Sequence, residues 1–350
     1  MKKYIPQILI IMLILSSYIN VTPNSVAAKS NPLRGKAGKN ITWTYNTKTH
    51  TMTFKGKGPF YKTEGTSDTP GYIGSWGCWT DDVEHVVIGE GITVIARESF
   101  ANTAKLKDVK LPSTLTKIGN SAFAFSSVCK INFPKNLKVI GCFAFCDCVN
   151  LKNITLPYGL ERIEGLAFSG SESKSLVIPD SVTYIGDGAF GDKLEKIKLS
   201  KNLTYIGEGA IGGSKIKKIV IPQKVKTIKN NMFYECKKLK EVKLGKNVEH
   251  IEHEAFAYTA IERIVLPKNV TTLGYGELRE YANGMFEGCK KLKLVEFRSK
   301  KITDVYKTTF LNTPKDVVFR VPKGKLEEYT KLFREGGLAQ DIVIEESTEW

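Results

Sequence analysis

Apolar residues recur in a fixed order along this chain of 350 residues, and one unit of the pattern occupies residues 239–256. The unit reads Leu-x-x-Val-x-Leu-x-x-x-Val-x-x-Ile-x-x-x-x-Phe, where x is any residue. Its final position returns in steps of 21 to 24 residues, with a single step of 30. A period of about 22 residues is too short for paired-helix repeats and falls in the leucine-rich range. The recurring position is occupied by Phe100, Phe123, Phe145, Phe168, Phe190, Ile211, Phe233, Phe256, Phe286 and Phe310.

The first half of each unit predicts a β-strand. Two apolar residues alternate with polar ones, and this period of two is typical of a strand with one buried and one solvated face. In several units a proline follows at once, as at Pro112 and Pro222, and ends the strand because it has no N–H to donate. The alternating pairs are Val109/Leu111, Ile131/Phe133, Ile154/Leu156, Ile197/Leu199, Ile219/Ile221, Val242/Leu244 and Ile264/Leu266.

The second half of each unit predicts a corner followed by an inward ring. A second apolar pair often ends in Ile-Gly, as at Gly119 and Gly186, where glycine is expected to permit the positive φ of a tight corner. The ring then follows a small residue such as Ala122. One coil has too few inward side chains to exclude water alone, so neighbouring coils must stack to form a core.

The pattern therefore predicts a β-rich, right-handed leucine-rich repeat solenoid of about ten coils over residues 83–313, with parallel strands about 4.8 Å apart in a ribbon along one side. Its Leu-Pro, Ile-Gly and Ala-Phe elements, in fixed order over 83–322, closely resemble the BspA-type leucine-rich repeat family. The common leucine-rich consensus has an Asn or Cys ladder instead, which only Cys148, Cys236 and Cys289 match here. The resemblance implies a protein secreted by, or at the surface of, bacteria or some protists, with adhesive roles in a few members.

Two caps are expected to cover the ends of the solenoid. An N-terminal β cap over 29–82 contains a hairpin, because residues alternate over 41–45 and again over 52–54, and Trp76 and Trp79 are expected to seal the same end. A C-terminal cap and tail over 314–350 begin with a strand over 317–321. A helix follows, with Leu326, Tyr329 and Phe333 on one face, and Gly336-Gly337 ends it.

Residues 1–28 are predicted to be a signal peptide. Lys2 and Lys3 form a basic start, residues 8–15 are apolar, and Val26-Ala27-Ala28 is a small-residue cleavage site. The apolar stretch is shorter than the roughly 20 residues of a membrane-spanning helix, and no second hydrophobic segment follows. We therefore expect a secreted protein, released or held at the cell surface without a covalent anchor and without a membrane span after signal removal.

The chain is strongly basic, with a formal net charge of +16. Such an excess favours anionic partners, which for an exported protein are an extracellular or surface protein or an anionic polymer such as a cell-wall or sulfated glycan. Nucleic acid is not expected as a partner, because no binding module is recognisable. A purely solubilising role of the charge is the alternative.

Basic residues also dominate the outward strand positions, which stacking brings into columns on the sheet face. This face is the first candidate binding site, and a merely solvated sheet is the alternative. The second candidate is the extra segment 274–283, which contains Tyr275 and Tyr281, because insertions in solenoids map to surface loops. The outward residues are Lys110, Lys130, Lys196, Lys198, Lys218, Lys243 and Arg263.

The cysteines and histidines do not predict a metal site. The inward Cys148, Cys236 and Cys289 are interpreted as small packing residues. Cys142, Cys146 and Cys148 lack a nearby His and match zinc spacing poorly, whereas a disulfide such as Cys129–Cys142 remains open. The stretch 249–254, Glu-His-Ile-Glu-His-Glu, does not have the zinc-protease spacing and is interpreted as a solvated turn.

No catalytic set of residues stands out, and no cofactor is expected. The leading hypothesis is a secreted, non-catalytic binding protein, adhesin-like or surface-associated, that recognises a protein or an anionic polymer through the solenoid face. The alternative is a structural component of the cell envelope, retained by charge. A hydrolytic enzyme is the third hypothesis and would need an acid/base pair that converges in a pocket.

Overall fold

The structure is a computed structural model that describes residues 33–60, 81–274 and 283–348. The predicted signal peptide, Trp76 and Trp79 lie outside these residues. In chain order the elements are β1 (Arg34–Gly38), β2 (Ile41–Asn46), β3 (Thr51–Gly56), β4 (Gly58–Pro59), β5 (His85–Ile88), β6 (Ile92–Ile95), β7 (Asp108–Lys110), β8 (Lys117–Ile118), β9 (Lys130–Ile131), β10 (Val139–Ile140), β11 (Arg162–Ile163), β12 (Ser175–Val177), β13 (Tyr184–Ile185), β14 (Lys196–Lys198), β15 (Tyr205–Ile206), β16 (Lys218–Val220), β17 (Thr227–Ile228), β18 (Glu241–Lys243), β19 (His250–Ile251), β20 (Arg263–Leu266), β21 (Thr272–Leu273), β22 (Leu294–Phe297), β23 (Asp304–Val305), β24 (Val318–Val321), α1 (Leu326–Glu335) and β25 (Val343–Glu346).

The chain forms the predicted parallel solenoid, but most coils contribute strands to two ribbons rather than one. The first ladder contains β5, β7, β9, β12, β14, β16, β18, β20, β22 and β24. These include the predicted strands except that at Ile154/Leu156, because residues 151–157 form no strand. The second ladder contains β4, β6, β8, β10, β11, β13, β15, β17, β19, β21 and β23. Most strands of the second ladder come from the second apolar pair of a coil and are only two residues long. The expectation of strands along one side was therefore too simple.

The recurring phenylalanines form the interior column that the sequence predicts. All of them are at most 5 % exposed, and Ile211 is equally buried. The rings of Phe123, Phe145 and Phe168 stack nearly parallel, with centroids 5.2 and 5.5 Å apart. The stacking ends at Phe168 and resumes after Ile211, with 5.7 Å between the centroids of Phe233 and Phe256. Phe190 and Ile211 belong to the same buried cluster, so the coils share one continuous core even where the rings do not stack.

The glycine after the second apolar pair has a different role from the expected one. Positive φ angles fall instead two residues later, for example at Ser121 (φ 52°) and Asn231 (φ 57°). A Cβ at Gly186 would lie 2.4 Å from the backbone nitrogen of Gly165 in the preceding coil. Glycine is therefore needed here for the close approach of two backbones.

The N-terminal cap continues the first ladder. Strands β2 and β3 form the predicted antiparallel hairpin, and their Trp43 and Phe54 side chains are fully buried. Strand β1, which the sequence analysis did not predict, adds to β2, and β3 pairs in parallel with β5 of the first coil. The hairpin therefore covers the first coil by extending its sheet.

The C-terminal cap contains the predicted strand and helix. Tyr329 and Phe333 of α1 are buried, and helix end Gly337 has φ +87°. Leu326 is 38 % exposed, so it does not share the buried face as expected. The parallel strand β25 extends the sheet beyond β24 and was not predicted. In the described ranges, no helix has the length and apolar character needed to cross a membrane.

Candidate binding face

The basic residues predicted to face outward lie on strands of the first ladder, and their side chains are exposed. Strand β14 carries Lys196 and Lys198, while its intervening Ile197 packs against the core. The same alternation places Lys218 on β16 and Lys243 on β18, with Ile219 and Val242 inside. Lys110 and Lys130 occupy equivalent outward positions on β7 and β9. These six lysines, Lys110, Lys130, Lys196, Lys198, Lys218 and Lys243, are called the lysine face below.

Two carboxylates lie in register with the lysine face, Asp108 beside Lys130 and Glu241 beside Lys218, but neither forms an ion pair with these lysines. None of its six ammonium groups forms an ion pair within the described part of the chain. Lysines nearer the coil corners do form them, as Lys201 does with Asp180 at 3.0 Å and Lys226 with Glu249 at 3.0 Å. Positive charge therefore accumulates on the outward side of the strands.

Arg263 differs from the lysines with which the sequence pattern grouped it. Its guanidinium pairs with both carboxylate oxygens of Glu296, of which Oε2 lies 2.8 Å from Nη2. The Glu296 side chain is only 3 % exposed, so Arg263 neutralises a buried charge. Arg263 is thus already ion-paired, whereas Tyr275 and Tyr281 of the second candidate site lie outside the described residues.

Two valines that the sequence analysis did not single out share the outward column with the lysines. Val177 is 60 % exposed and lies in register with Lys198, and Val220 is 61 % exposed and lies in register with Lys243. Their outward positions in the alternating pattern would have predicted this exposure from the sequence. Lysine and valine therefore alternate from coil to coil over β12, β14, β16 and β18.

The second ladder presents an aromatic stack. The rings of Tyr184 and Tyr205 lie 4.8 Å apart and nearly parallel, and the Arg162 guanidinium lies 3.8 Å from the Tyr184 centroid. Partial burial of the phenol raises the pKa of Tyr205 to about 12. Arg162 also bonds Glu164 at 2.8 Å, so this face is less basic than the lysine face.

The cysteines are packing residues, as predicted for the inward three. Cys148, Cys236 and Cys289 are fully buried, each beside a hydroxyl group, and burial raises the pKa of Cys148 to about 12. Cys129 and Cys142 are both free thiols, so the disulfide left open between them is absent. No cluster of His, Cys, Asp and Glu suited to a metal occurs among the residues that the structure covers.

The stretch 249–254 is not the solvated turn that was expected. Glu252, His253 and Glu254 are 9, 2 and 4 % exposed, because this corner packs against neighbouring coils. Glu252 accepts hydrogen bonds from Lys229 at 2.8 Å and from a backbone N–H at 2.9 Å. The His253 ring meets Tyr306 edge-on at 5.0 Å without a hydrogen bond to either nitrogen, and burial lowers its pKa.

Comparisons with known proteins agree with this architecture. A profile of the BspA type leucine rich repeat region matches in 6 copies, over residues 76–193, 167–280 and 276–349. A leucine-rich repeat protein of Eubacterium ventriosum is similar in fold, with 22 % identity, a TM-score of 0.53, and coverage of 83 % of this chain and 78 % of that one. A leucine-rich repeat protein of Bacteroides ovatus has 21 % identity and a TM-score of 0.47, with 89 % and 99 % covered.

A leucine rich cell surface protein of Faecalibacterium prausnitzii has 20 % identity and a TM-score of 0.42, with 92 % of this chain and 97 % of that one covered. No curated protein matches the sequence. The profile copies span most of the chain, and the fold, the interior ring column and the parallel ladders agree with them. The chain therefore belongs to the BspA-type leucine-rich repeat family.

Proposed function

We propose that the protein is an extracellular, non-catalytic binding protein that holds an anionic polymer, such as a cell-wall polymer or a sulfated glycan, on its lysine face. The observation that carries this proposal is the set of six exposed lysines without ion pairs on consecutive and nearby strands of the first ladder. Family membership supports a surface or secreted location and a scaffold that binds rather than catalyses.

Repetition makes this arrangement suited to a polymer. Adjacent coils of a parallel sheet are about 4.8 Å apart, so each added coil brings another cation within reach of the same extended chain. Individually weak contacts then add through effective concentration, because the second contact of a bound polymer is intramolecular. Since exposed charges are screened over about 8 Å at physiological ionic strength, binding should weaken steeply with salt.

The test compares two variants with equal loss of charge. In the first, Lys198, Lys218 and Lys243 become Gln. In the control, three exposed lysines away from the lysine face, Lys48, Lys268 and Lys323, become Gln. Affinity for heparin, used as a sulfated polymer, is measured for both variants by titration at low salt.

If the binding site is the lysine face, the first variant should lose much of its affinity for heparin. If each lysine contributes about 1 kcal/mol, the loss is roughly 100-fold, while the control stays near the parent. Equal losses would instead favour the alternative of an envelope component retained by overall charge. Failure of the parent to bind heparin, together with binding to an acidic extracellular protein, would favour the protein-binding alternative. Circular dichroism spectra of both variants exclude unfolding as the cause.

A further inference from the structure

The second ladder of the solenoid is interrupted between two coils, at the place where Ile211 replaces the recurring ring. One coil contains β14, β15 and Ile211, and the next contains β16, β17 and Phe233. This pair of coils is called the joint below. All of its residues, from 196 to 233, belong to the described part of the chain.

The second ladder stops at the joint, and the strands of the first ladder are also unpaired there, as they are between β9 and β12 and between β18 and β20. The second ladder runs without a break from β4 to β15 and again from β17 to β23, but β15 and β17 are not hydrogen-bonded to each other. Before the joint, for example, Gly207 donates to the carbonyl of Ile185 at 2.8 Å, and after it Glu252 donates to Ile228 at 2.9 Å. In the first ladder, β14 pairs with β12 and β16 with β18, but β14 and β16 are in separate sheets.

The interior column weakens at the same place. Ile211 stands where the other coils have a phenylalanine ring, so no ring pair forms across the joint; the stacking that runs from Phe100 to Phe168 already ends before the coil of Phe190. An isoleucine packs by dispersion alone and lacks the roughly 0.5–1.5 kcal/mol of an aromatic pair. The two coils therefore interact less strongly in their core as well as along the second ladder.

The third side of the coil stays connected across the joint. Gly209 donates to the carbonyl of Asn230 at 3.0 Å, and Gly213 donates to that of Tyr234 at 2.8 Å. The Glu208 carboxylate accepts hydrogen bonds from the side-chain amides of Asn230 at 3.2 Å and Asn231 at 3.5 Å. The first side keeps one backbone hydrogen bond outside its strands, from Lys215 to the carbonyl of Leu194 at 2.7 Å, and the second side has no ladder bond between β15 and β17. Relative motion of the two halves should therefore pivot about the third side.

The lysine face straddles the joint. Lys196 and Lys198 lie on β14, before the interruption, and Lys218 and Lys243 lie on β16 and β18, after it. We propose that the joint is a hinge within the solenoid and that an anionic polymer bound across these four lysines bridges the hinge and restrains its motion. This inference rests on the proposed function for its ligand, whereas the hinge itself does not depend on any ligand.

Bridging requires a ligand with charges on both sides of the joint. The like charges of Lys198 and Lys218 on adjacent coils repel each other, and a polyanion between them removes this repulsion. Binding therefore favours the arrangement in which the two strands are close. A small anion such as inorganic sulfate is too short to follow the sheet across several coils, so it is expected to leave the hinge unrestrained because it does not interact differently with the two arrangements.

Methyl relaxation-dispersion NMR on the full chain tests the hinge without ligand, since it detects motion on the microsecond-to-millisecond timescale. The δ1 methyls of Ile206, Ile211 and Ile228 adjoin the joint, and those of Ile118 and Ile140 lie in an uninterrupted stretch of the second ladder. We expect dispersion at the first set and its absence at the second. The same dispersion at both sets, or none at either, would overturn the hinge.

Addition of a long heparin chain then tests the bridging. We expect dispersion at the joint to be lost with heparin and retained with inorganic sulfate. Binding of heparin with unchanged dispersion would overturn the bridging and leave the proposed function standing. Absence of heparin binding would refute both the proposed function and the bridging, but dispersion at the joint would still support the hinge.

A pair of matched variants separates bridging from charge. Replacement of Lys196 and Lys198 by Gln removes cations on one side of the joint, so heparin held by Lys218 and Lys243 should no longer suppress the dispersion. Replacement of Lys110 and Lys130 by Gln removes the same charge from the lysine face far from the joint, and suppression should persist. Equal behaviour of the two variants would contradict bridging at this place.

Discussion

Truncation of one ring in the middle of the interior column should destabilise the solenoid strongly, and Phe145→Ala is the sharpest case. The Phe145 ring is fully buried between Phe123 at 5.2 Å and Phe168 at 5.5 Å, and Phe133 contacts it edge-on at 5.5 Å. Both faces of the Phe145 ring are therefore covered by aromatic rings, and a third ring contacts it edge-on. Its loss removes both apolar burial and ring–ring interactions.

The expected loss of unfolding free energy is large because the surrounding residues can move little to fill the space that the ring leaves. Phe→Ala in a core typically costs about 3–5 kcal/mol, and each aromatic pair adds about 0.5–1.5 kcal/mol beyond its buried area. The coils on either side are held by backbone hydrogen bonds, from Phe123 to Ala144 at 2.9 Å and from Phe145 to Ala167 at 2.8 Å. Because these bonds keep the neighbouring rings apart, we expect a cavity and a loss near 5 kcal/mol.

Phe190→Ala provides the comparison, with an expected loss of about 3 kcal/mol. Phe190 is 5 % exposed and is followed in the column by Ile211 rather than by a ring. Urea unfolding followed by circular dichroism gives the free energy of unfolding of both variants, with unchanged m-values as the check on two-state behaviour. A loss for Phe145→Ala below about 2 kcal/mol, or no larger than for Phe190→Ala, would refute the stacked-column reasoning.

Three further predictions concern the coil corners and buried charges. Gly186→Ala should lower the free energy of unfolding by more than about 2 kcal/mol, because the added Cβ would meet the backbone of the preceding coil. Gly209→Ala, where φ is +58° and the space is open, should lower it by only about 1 kcal/mol. Urea unfolding measures both, and the reverse order would contradict the packing role of Gly186. Arg263→Ala should lower the free energy of unfolding by about 1–3 kcal/mol, because it leaves the buried Glu296 carboxylate unpaired. Its affinity for heparin should stay nearly unchanged. A loss of heparin affinity without a loss of stability would show that Arg263 belongs to the binding face. Because burial lowers the pKa of His253, the folded chain binds fewer protons than the unfolded one, so stability should fall as pH drops below about 6.5. His253→Phe should flatten this dependence in melting temperatures measured from pH 7.5 to 5.5, and His250→Gln, at a partly exposed position, should not.

The parts of the fold that repeat were predictable from the sequence. The interval of the phenylalanines and the period-two alternation depend on local spacing, and both predict the core and the first ladder directly. The second ladder was not predictable in this way, because strands of two residues, such as Tyr205–Ile206, are too short for an alternating pattern. Strand β1, with two glycines and two basic residues in five positions, gives no strand signal either.

The period-two alternation also predicted that the lysine face is exposed, but it could not predict which charged side chains form ion pairs. Glu296 reaches Arg263 from a strand 33 residues away, beyond the longer repeat step, and sequence spacing carries no information on that contact. Burial of His253 was missed for a related reason. Five polar residues out of six indicate a surface, yet a coil corner can face its neighbours along the solenoid rather than solvent.

The bonding of each coil to its immediate neighbours has a consequence for how such a protein can change in evolution. Phe123, Phe145 and Phe168 occupy the same place in successive coils, so duplication or deletion of one whole repeat joins coils that already fit. The core then keeps its packing while the outward face lengthens or shortens by about 4.8 Å. The span over which a partner is contacted can thus vary in whole-repeat steps, independently of the side chains that make the contacts.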